Sequence, residues 1–201
     1  MSTKIHPDYQ LGDTAQQQLE DLTTQLLKWN KAYNLTAIEK KKEIVAYHLL
    51  DSLALSPYIN GNRVADIGTG AGFPGLPLAI AHPEKTFFLI ESNRKKTQFI
   101  LHMRHRLQLS NVTVLEQRAE AVTLDPLADC IVSRAVADIP VLIDFSAGFS
   151  GPKTQWLLQK GPDFDVASLS AMPHMMQQNV IHYRIPGIPA ERLIIDLKKQ
   201  E

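Results

Sequence analysis

A glycine-rich turn is the part of this sequence whose residue types most directly indicate chemistry. Four of the ten glycines lie between positions 68 and 75, in the string DIGTGAGFPG that begins at Asp66. Residues without a Cβ can adopt positive φ and let the backbone approach a ligand closely. A tight turn that only packs a helix would explain one glycine, but three at alternate positions favour a nucleotide-type site. We therefore expect Gly68, Thr69, Gly70 and Gly72 to line a cofactor pocket.

Two acidic residues near this turn help to choose the cofactor. The string GAGFPG matches the dinucleotide pattern G-x-G-x-x-G, which is a weak signal by itself. Asp66 lies two residues before the first glycine, where a carboxylate can receive the ammonium group of a methionine moiety and would repel a pyrophosphate. Glu91 follows the next apolar run and can accept both ribose hydroxyls. An acid in the place of Glu91 occurs in NAD sites too, so only Asp66 discriminates in favour of S-adenosyl-L-methionine. Asp66 could instead cap a turn, and Glu91 could be a solvated strand end.

Further pocket contacts are expected around these residues. Phe73 begins the helix after the turn and can close over the cofactor, although it could equally belong to the core. Ala119 and Glu120 follow the third apolar run, where sheets of this kind receive the adenine, usually through a backbone amide. An ordinary helix start explains those two residues nearly as well.

The residues after the fourth apolar run concern the methyl acceptor. Methyltransferases that act on an exocyclic amine commonly carry Asn-Pro-Pro-Tyr or Asp-Pro-Pro-Tyr there, whereas this chain reads SRA from position 133. Attack on a pyrimidine carbon needs a cysteine nucleophile, but Cys130 lies in an apolar run that predicts an inert, buried thiol. No proton-removing base is evident. Arg134 can grip a phosphate, a carboxylate or the O6/N7 edge of guanine and position the reacting groups, or it can pair with a surface acid such as Asp138.

A basic segment accompanies the predicted pocket. Between Asn93 and Arg118 there are six Lys or Arg residues and one acid, a local balance of +5. Such a run is usually a solvated helix face. Its position beside the pocket also fits a surface that follows nucleic-acid phosphates, with Lys95, Lys96 and Arg118 as contacts.

The elements that must position these residues follow from the apolar pattern. Helical spacing from Leu19 to Tyr33, with Thr14 and Gln17 as a capping box, and again over about 39–58 predicts N-terminal helices. Short apolar runs then alternate with amphipathic stretches, which indicates an α/β fold with a doubly wound, mostly parallel sheet. The last two runs are joined by a connection too short for a helical crossover and should form an antiparallel hairpin. The seven predicted strands are 63–67, 86–91, 112–116, 129–133, 154–159, 179–185 and 192–198, and the helices between them lie near 73–81, 93–109, 119–124 and 138–148.

Composition excludes several classes of protein. The 21 basic and 21 acidic residues cancel, which excludes a histone-like basic binder, and one cysteine excludes a disulfide framework or a cysteine-based zinc site. No apolar run approaches the roughly 20 residues that span a bilayer. We expect a cytoplasmic protein with no membrane contact, with 201 residues forming one domain: a helical extension over 1–60 and the cofactor-binding core over 61–201.

Five strings in a fixed order resemble one known family. They are WNKAYNLT from Trp29, HLLDS from His48, FPGLP from Phe73 after the glycine turn, SRA from Ser133, and Lys160-Gly161. Together they cover about residues 20–161 and are similar to the bacterial ribosomal RNA small-subunit methyltransferase G family, also called glucose-inhibited division protein B. The resemblance implies a Rossmann-like class I methyltransferase that uses S-adenosyl-L-methionine to methylate N7 of a guanosine in 16S ribosomal RNA of the small ribosomal subunit.

The resemblance also implies roles for individual residues. It supports cofactor contacts at Gly68, Phe73, Ala119, Glu120 and Arg134, with Asp66, Gly70 and Glu91 lining the same pocket. It places five residues around the cofactor and RNA cleft, namely Asn34, His48, Lys95, Arg118 and Lys160. We expect a monomer.

The predicted acceptor explains why no base is evident. N7 of guanine carries a lone pair and no proton, so catalysis reduces to aligning N7 with the methyl group, with Arg134 as the positioning residue. His48 and Asp51, three residues apart on a helix, are then a polar pair holding that helix against the sheet. A metal site would need a third ligand, so we predict no metal.

Two other functions remain open on the sequence alone. One is an NAD-dependent dehydrogenase built on the same glycine turn. The other is a non-catalytic ribosome-binding protein with a methyltransferase fold, against which the presence of Asp66, Gly68, Gly70 and Glu91 argues.

Overall fold

A computed structural model describes residues 11–134, 137–171 and 176–199 of the chain. Its centre is a seven-stranded sheet in the order β3-β2-β1-β4-β5-β7-β6. The strands are β1 (Arg63–Ile67), β2 (Thr86–Ile90), β3 (Val112–Leu115), β4 (Cys130–Arg134), β5 (Gln155–Lys160), β6 (Met176–Tyr183) and β7 (Arg192–Lys199). The first five strands run parallel, and β7 pairs antiparallel with both β5 and β6. The predicted α/β sheet with a C-terminal hairpin is confirmed, with each strand boundary within about three residues.

The helices cover both faces of this sheet. They are α1 (Asp13–Tyr33), α2 (Lys41–Ile44), α3 (Asp51–Leu53), α4 (Gly75–Ala81), α5 (Arg94–Arg106) and α6 (Ile139–Phe145), with a π-helical segment over Val45–Leu50 between α2 and α3. The predicted capping box is wrong, because α1 already begins at Asp13 and its N-cap is Gly12, which offers no side chain. The predicted helix over 119–124 is only a short 3-10 turn, Ala119–Ala121.

Side chains that alternate along each strand divide the core into two clusters. On one face, Val64 of β1 and Val132 of β4 pack with α1, α4 and α5. On the other face, Ile67 and Ile131 pack with α6. The N-terminal helices therefore cover the same sheet face as α4 and α5. The division into an extension over 1–60 and a core over 61–201 stays a prediction.

The strand order creates a crevice at the carboxyl ends of the central strands. From β1 the chain proceeds outward through β2 to β3 and then returns to β4 on the other side of β1. Loops leaving the carboxyl ends of β1 and β4 therefore diverge, which is where open α/β sheets bind ligands. Both the glycine turn and Arg134 lie at this point.

Candidate active site

A cavity of about 500 Å³ occupies this crevice. Most of the predicted cofactor residues line it: Gly68, Thr69, Gly70, Phe73, Glu91, Ala119, Glu120 and Arg134. Among the predicted RNA residues, His48, Lys96 and Arg118 also line it. Sequence reasoning missed several wall residues, among them Leu35 and Thr36 after α1, Gln117 after β3 and Phe145 of α6. The first two directly follow Asn34, so the WNKAYNLT string was the available signal.

The three alternate glycines share a backbone conformation, but Gly70 and Gly72 have different surroundings. Gly68, Gly70 and Gly72 have φ of 61°, 63° and 91°, the left-handed region that disfavours side chains. A Cβ on Gly70 would meet no atom within 4 Å, because it would enter the cavity. A Cβ on Gly72 would overlap the Leu76 side chain, and Gly72 does not line the cavity. The absence of a side chain at Gly72 therefore lets the turn pack against α4, and the cofactor contact predicted for Gly72 stays a prediction.

Asp66 is placed differently from the prediction. It is fully buried and absent from the cavity wall. Its Oδ2 accepts hydrogen bonds from the Thr69 hydroxyl at 2.5 Å and the Gly75 amide at 2.8 Å, so the carboxylate braces the glycine turn. Burial raises its pKa to about 7, despite these two hydrogen bonds and the nearby charge of Arg134. This placement fits the turn-capping alternative. Because Oδ1 has no hydrogen-bond partner among the described residues, the direct contact with a ligand ammonium group stays a prediction.

Glu91 faces the cavity from the end of β2. Its Oε2 accepts from the Gly70 amide at 3.0 Å and its Oε1 accepts from the Asn93 amide at 2.8 Å. Each carboxylate oxygen has a second lone pair, so Glu91 can still accept ligand hydroxyls while it holds the turn. This position suits the predicted ribose contact.

Arg134 extends from β4 towards the N-terminal helices. One terminal nitrogen donates to the Tyr47 carbonyl at 2.8 Å and lies 3.4 Å from Asp51 Oδ2, and the other lies 3.2 Å from His48 Nδ1. The alternative of a pair with Asp138 is wrong, because Asp138 precedes α6 on the opposite sheet face. Among the described residues, no hydrogen bond uses Arg134 Nε, so that edge of the guanidinium can serve a ligand.

His48 is a neutral residue held by contacts on both ring nitrogens. A guanidinium only donates hydrogen bonds, so Nδ1 must accept from Arg134 and the proton lies on Nε2, 2.9 Å from the Thr36 hydroxyl. Burial and the adjacent Arg134 charge lower the pKa of His48 to about 4. Its ring stacks on Phe73 with centroids 4.7 Å apart. His48 therefore forms a cavity wall and offers no charge to a phosphate.

The π-helical segment explains how Arg134 reaches a helix backbone. The Asp51 amide donates five residues back to the Ala46 carbonyl rather than to Tyr47, the α-helical acceptor. The Tyr47 carbonyl then accepts from Arg134. Single π-helical turns inside helices are frequent at functional sites. This one leaves the Tyr47 carbonyl to accept from Arg134, which lines the cavity.

The adenine contact predicted at Ala119 and Glu120 has suitable geometry. These residues open the 3-10 turn after β3 and line the cavity. The first amides of a helical turn have no acceptor within it, so these two can donate to a ligand base.

The remaining predicted RNA residues lie outside the cavity. Lys95, next to Lys96 in the first turn of α5, is exposed, and so is Asn34, which ends α1 in the left-handed conformation. Lys160 ends β5, where its Nζ donates to the Ala137 carbonyl at 3.1 Å and lies over the Phe164 ring. Burial lowers the pKa of Lys160. The site thus has a basic rim formed by Lys95, Lys96 and Arg118, with Asn34 and Lys160 apart from it.

Two further predictions concern metals and cysteine. Over the described ranges 11–134, 137–171 and 176–199, no group of three or more His, Cys, Asp or Glu is arranged to hold a metal ion. Cys130 is buried, and burial raises its pKa well above the ordinary range. An inert thiol, as predicted, fits that environment.

Comparison with known proteins places the chain in a family. Residues 15–195 match the family model described as rRNA small subunit methyltransferase G. A ribosomal RNA small subunit methyltransferase G from Coxiella burnetii is 38% identical over 193 residues, covering 94% of this chain and 91% of the relative. The protein of the same name from Hydrogenovibrio crunogenus is 40% identical over 190 residues, covering 94% and 87%.

Solved structures support the fold. A precorrin-6y C5,15-methyltransferase from Geobacter metallireducens superposes with a TM-score of 0.54 at 18% identity, covering 81% of this chain and 90% of that one. The TYW2 protein of M. jannaschii, solved in complex with AdoMet, gives a TM-score of 0.56 at 16% identity, covering 74% of each chain. The predicted Rossmann-like class I methyltransferase fold is confirmed. Since the family model and the curated relatives both span most of its length, this chain belongs to the rRNA small subunit methyltransferase G family.

Proposed function

We propose that this protein transfers a methyl group from S-adenosyl-L-methionine to N7 of a guanosine in 16S ribosomal RNA. The observation that carries this proposal is the cavity at the β1/β4 crevice, open above Gly70 and bounded by Glu91 and Arg134. The names of the relatives supply the substrate class. The guanine N7 position rests on the resemblance of the five sequence strings.

The cavity residues fit such a cofactor. Gly70 leaves room for it, Glu91 has lone pairs for the ribose, and the Ala119 and Glu120 amides can donate to the adenine. Asp66 would act indirectly, by holding Thr69 and Gly75 in the turn. When bound, the cofactor supplies an electrophilic methyl group on a positively charged sulfur.

The residues of the chain then have to align the acceptor rather than remove a proton. The N7 lone pair forms the new bond to carbon while the carbon–sulfur electrons return to sulfur, so no proton is released. A bidentate grip on O6 and N7 by Arg134 would occupy the reacting lone pair. Arg134 can therefore contact O6 or a cofactor carboxylate, using the Nε edge that faces no acceptor among the described residues.

The basic rim is the proposed RNA surface. Lys96 and Arg118 border the cavity, and Lys95 lies exposed beside them. Positive groups at this rim can follow phosphates while a base enters the cavity.

Across the described part of the chain, no helix is long and apolar enough to cross a membrane. We propose a cytoplasmic monomer that acts on the small ribosomal subunit or its RNA.

Two measurements test the proposed function. Mass spectrometry of ribosomal RNA from a strain lacking the gene should show the loss of one 7-methylguanosine, restored by the wild-type gene. Isothermal titration of the purified protein should show binding of S-adenosylhomocysteine and none of NADH. An unchanged modification pattern would overturn the methyltransferase proposal, and tight NADH binding would favour the dehydrogenase alternative.

Glu91→Gln should weaken cofactor binding by about 1–2 kcal/mol, because a charge-assisted acceptor for the ribose is lost. The amide can also keep only one of the two backbone bonds, to Gly70 or to Asn93. Titration calorimetry with S-adenosylhomocysteine measures the change. Glu116→Gln is the matched control, since Glu116 follows β3 and accepts from Thr97 without lining the cavity. Equal dissociation constants for Glu91→Gln and wild type would show that Glu91 does not bind the cofactor.

Lys95→Ala/Arg118→Ala should weaken RNA binding and flatten its salt dependence. The logarithm of the binding constant falls linearly with the logarithm of the salt concentration. Each lost phosphate contact reduces the steepness of that line by about 0.7–0.9, so the double variant should be less steep by about 1.4–1.8. Cofactor affinity should stay near the wild-type value, because Glu91 and the turn are untouched. RNA titrations at several salt concentrations provide the slope.

The control for this pair removes two positive charges elsewhere. Lys85→Ala/Lys153→Ala changes lysines that precede β2 and β5. They lie at the amino ends of the strands, away from the carboxyl ends that form the crevice. That variant should keep the wild-type slope. If both variants behave alike, the basic segment is an ordinary solvated face.

A further inference from the structure

Asp51 is a buried carboxylate at the centre of a polar cluster behind the cavity. Its side chain is 1% exposed. Arg192 lies against it, with Nε 2.7 Å from Oδ1 and a terminal nitrogen 3.1 Å from Oδ2. The Tyr183 hydroxyl donates to Oδ1 at 2.8 Å, and Arg134 approaches Oδ2 at 3.4 Å. The predicted His48–Asp51 pair is thus indirect, since both residues contact Arg134.

This arrangement is unbalanced in charge and costly to bury. One carboxylate faces two guanidinium groups whose side chains are only 18% and 17% exposed. Removing one partner of such a cluster leaves an uncompensated buried charge, whereas replacing a whole set can be neutral. Such a cluster is weak evidence for a role in stability, and its contacts with Arg134 point to a role in holding that side chain in place.

The cluster holds Arg134 on three sides. The Tyr47 carbonyl, Asp51 and His48 Nδ1 engage its two terminal nitrogens, and Phe73 lies under the guanidinium at 5.9 Å. A long side chain loses rotamer freedom when it binds a ligand, and fixing it beforehand removes that cost. Arg134, which lines the cavity, is consequently held in one orientation before a ligand binds.

The C-terminal hairpin fixes the carboxylate in turn. Tyr183 belongs to β6 and Arg192 to β7, and the two are paired directly in the register of the hairpin. Gln159 of β5 donates to both the Asp51 carbonyl and the Tyr183 hydroxyl. Asp51 is therefore tied to three strands, and no residue described in those strands lines the cavity.

We propose that Asp51 is a positioning residue for methyl transfer, which holds Arg134 in its working orientation and is itself fixed by Arg192 and Tyr183. This inference rests on the proposed function. It predicts that Asp51 matters for the rate only through Arg134.

A double-mutant cycle tests this dependence. Single-turnover methylation of small-subunit RNA is measured at saturating cofactor and RNA for wild type, Asp51→Asn, Arg134→Ala and the double variant. A misplaced reacting group can cost about 100-fold in rate, so Asp51→Asn should be slowed by about that factor. Adding Asp51→Asn to Arg134→Ala should change the rate by less than about threefold, because the residue it positions is already gone. Losses that multiply in the double variant would overturn the proposal.

A charge-balanced variant covers the case in which Asp51→Asn does not fold. Asp51→Asn/Arg192→Met removes one negative and one positive charge and keeps the net charge of the cluster. It should unfold at a temperature near the wild-type value and remain about 100-fold slow. A wild-type rate in that variant would show that Asp51 only neutralises buried charge.

Two controls separate the remaining possibilities. Asp196→Asn, in β7, removes a carboxylate that accepts from Gln155 away from the cavity, and it should keep the wild-type rate. Wild-type protein that methylates no small-subunit RNA would overturn the proposed function itself. An active wild type with independent Asp51 and Arg134 losses would overturn only the positioning role.

Discussion

Gly70→Asp is expected to abolish cofactor binding in a protein that remains folded. A Cβ at this position meets no atom within 4 Å, so the first side-chain atom displaces no protein atom. It enters the cavity instead, beside Glu91, whose carboxylate is hydrogen-bonded to the Gly70 amide. Two carboxylates and a steric block should weaken S-adenosylhomocysteine binding by at least about 100-fold, or about 2.7 kcal/mol. Titration calorimetry measures the dissociation constant, and a thermal unfolding curve shows whether the variant is folded.

Gly187→Asp separates the site from the backbone effect. Gly187 lies in the turn between β6 and β7 and has φ of 87°, and a Cβ there would likewise meet no atom within 4 Å. Both variants therefore carry left-handed strain and one added negative charge. Only Gly70→Asp should lose binding. Normal cofactor affinity in Gly70→Asp would show that the cofactor lies elsewhere.

Arg134→Ala is expected to reduce methyl transfer far more than RNA affinity. One guanidinium at the end of β4 positions the reacting groups, and loss of that alignment can cost about 100-fold in rate. RNA affinity depends mainly on phosphate contacts at the basic rim, so the dissociation constant should change by only a few-fold. Single-turnover methylation with saturating cofactor, together with RNA titration, gives both values.

Arg63→Ala is the matched control for that result. Arg63 begins β1, at the amino end of the strand and away from the crevice. It donates to the carbonyls of Pro126 and Leu127 and lies over the Phe88 ring at 4.8 Å. Like Arg134, it donates to a backbone carbonyl oxygen and lies over a phenylalanine ring, but it does not line the cavity. A rate loss in Arg63→Ala as large as in Arg134→Ala would mean that the effect is general destabilisation.

The sequence by itself determined the parts of this protein that depend on neighbouring residues. Alternating apolar runs predicted all seven strands, and the short connection before Arg192 predicted the hairpin. The glycine pattern predicted a close ligand approach at Gly70, which has the positive φ and open space that this role needs. These features follow from local backbone geometry and from the side-chain period of a strand.

Only the tertiary structure decided what the polar side chains near the cavity contact. The sequence placed Asp66 against a ligand and offered Asp138 as a partner for Arg134, yet Asp66 braces the glycine turn and Arg134 meets Asp51. Strand period shows that Val132 and Arg134 share a sheet face, but not which helices cover it. The contacts from Asp51 to Arg134 and Arg192 join residues 83 and 141 positions apart. Such pairings depend on how the N-terminal helices and the C-terminal hairpin pack on the sheet, because burial forces each charged group to find a partner there.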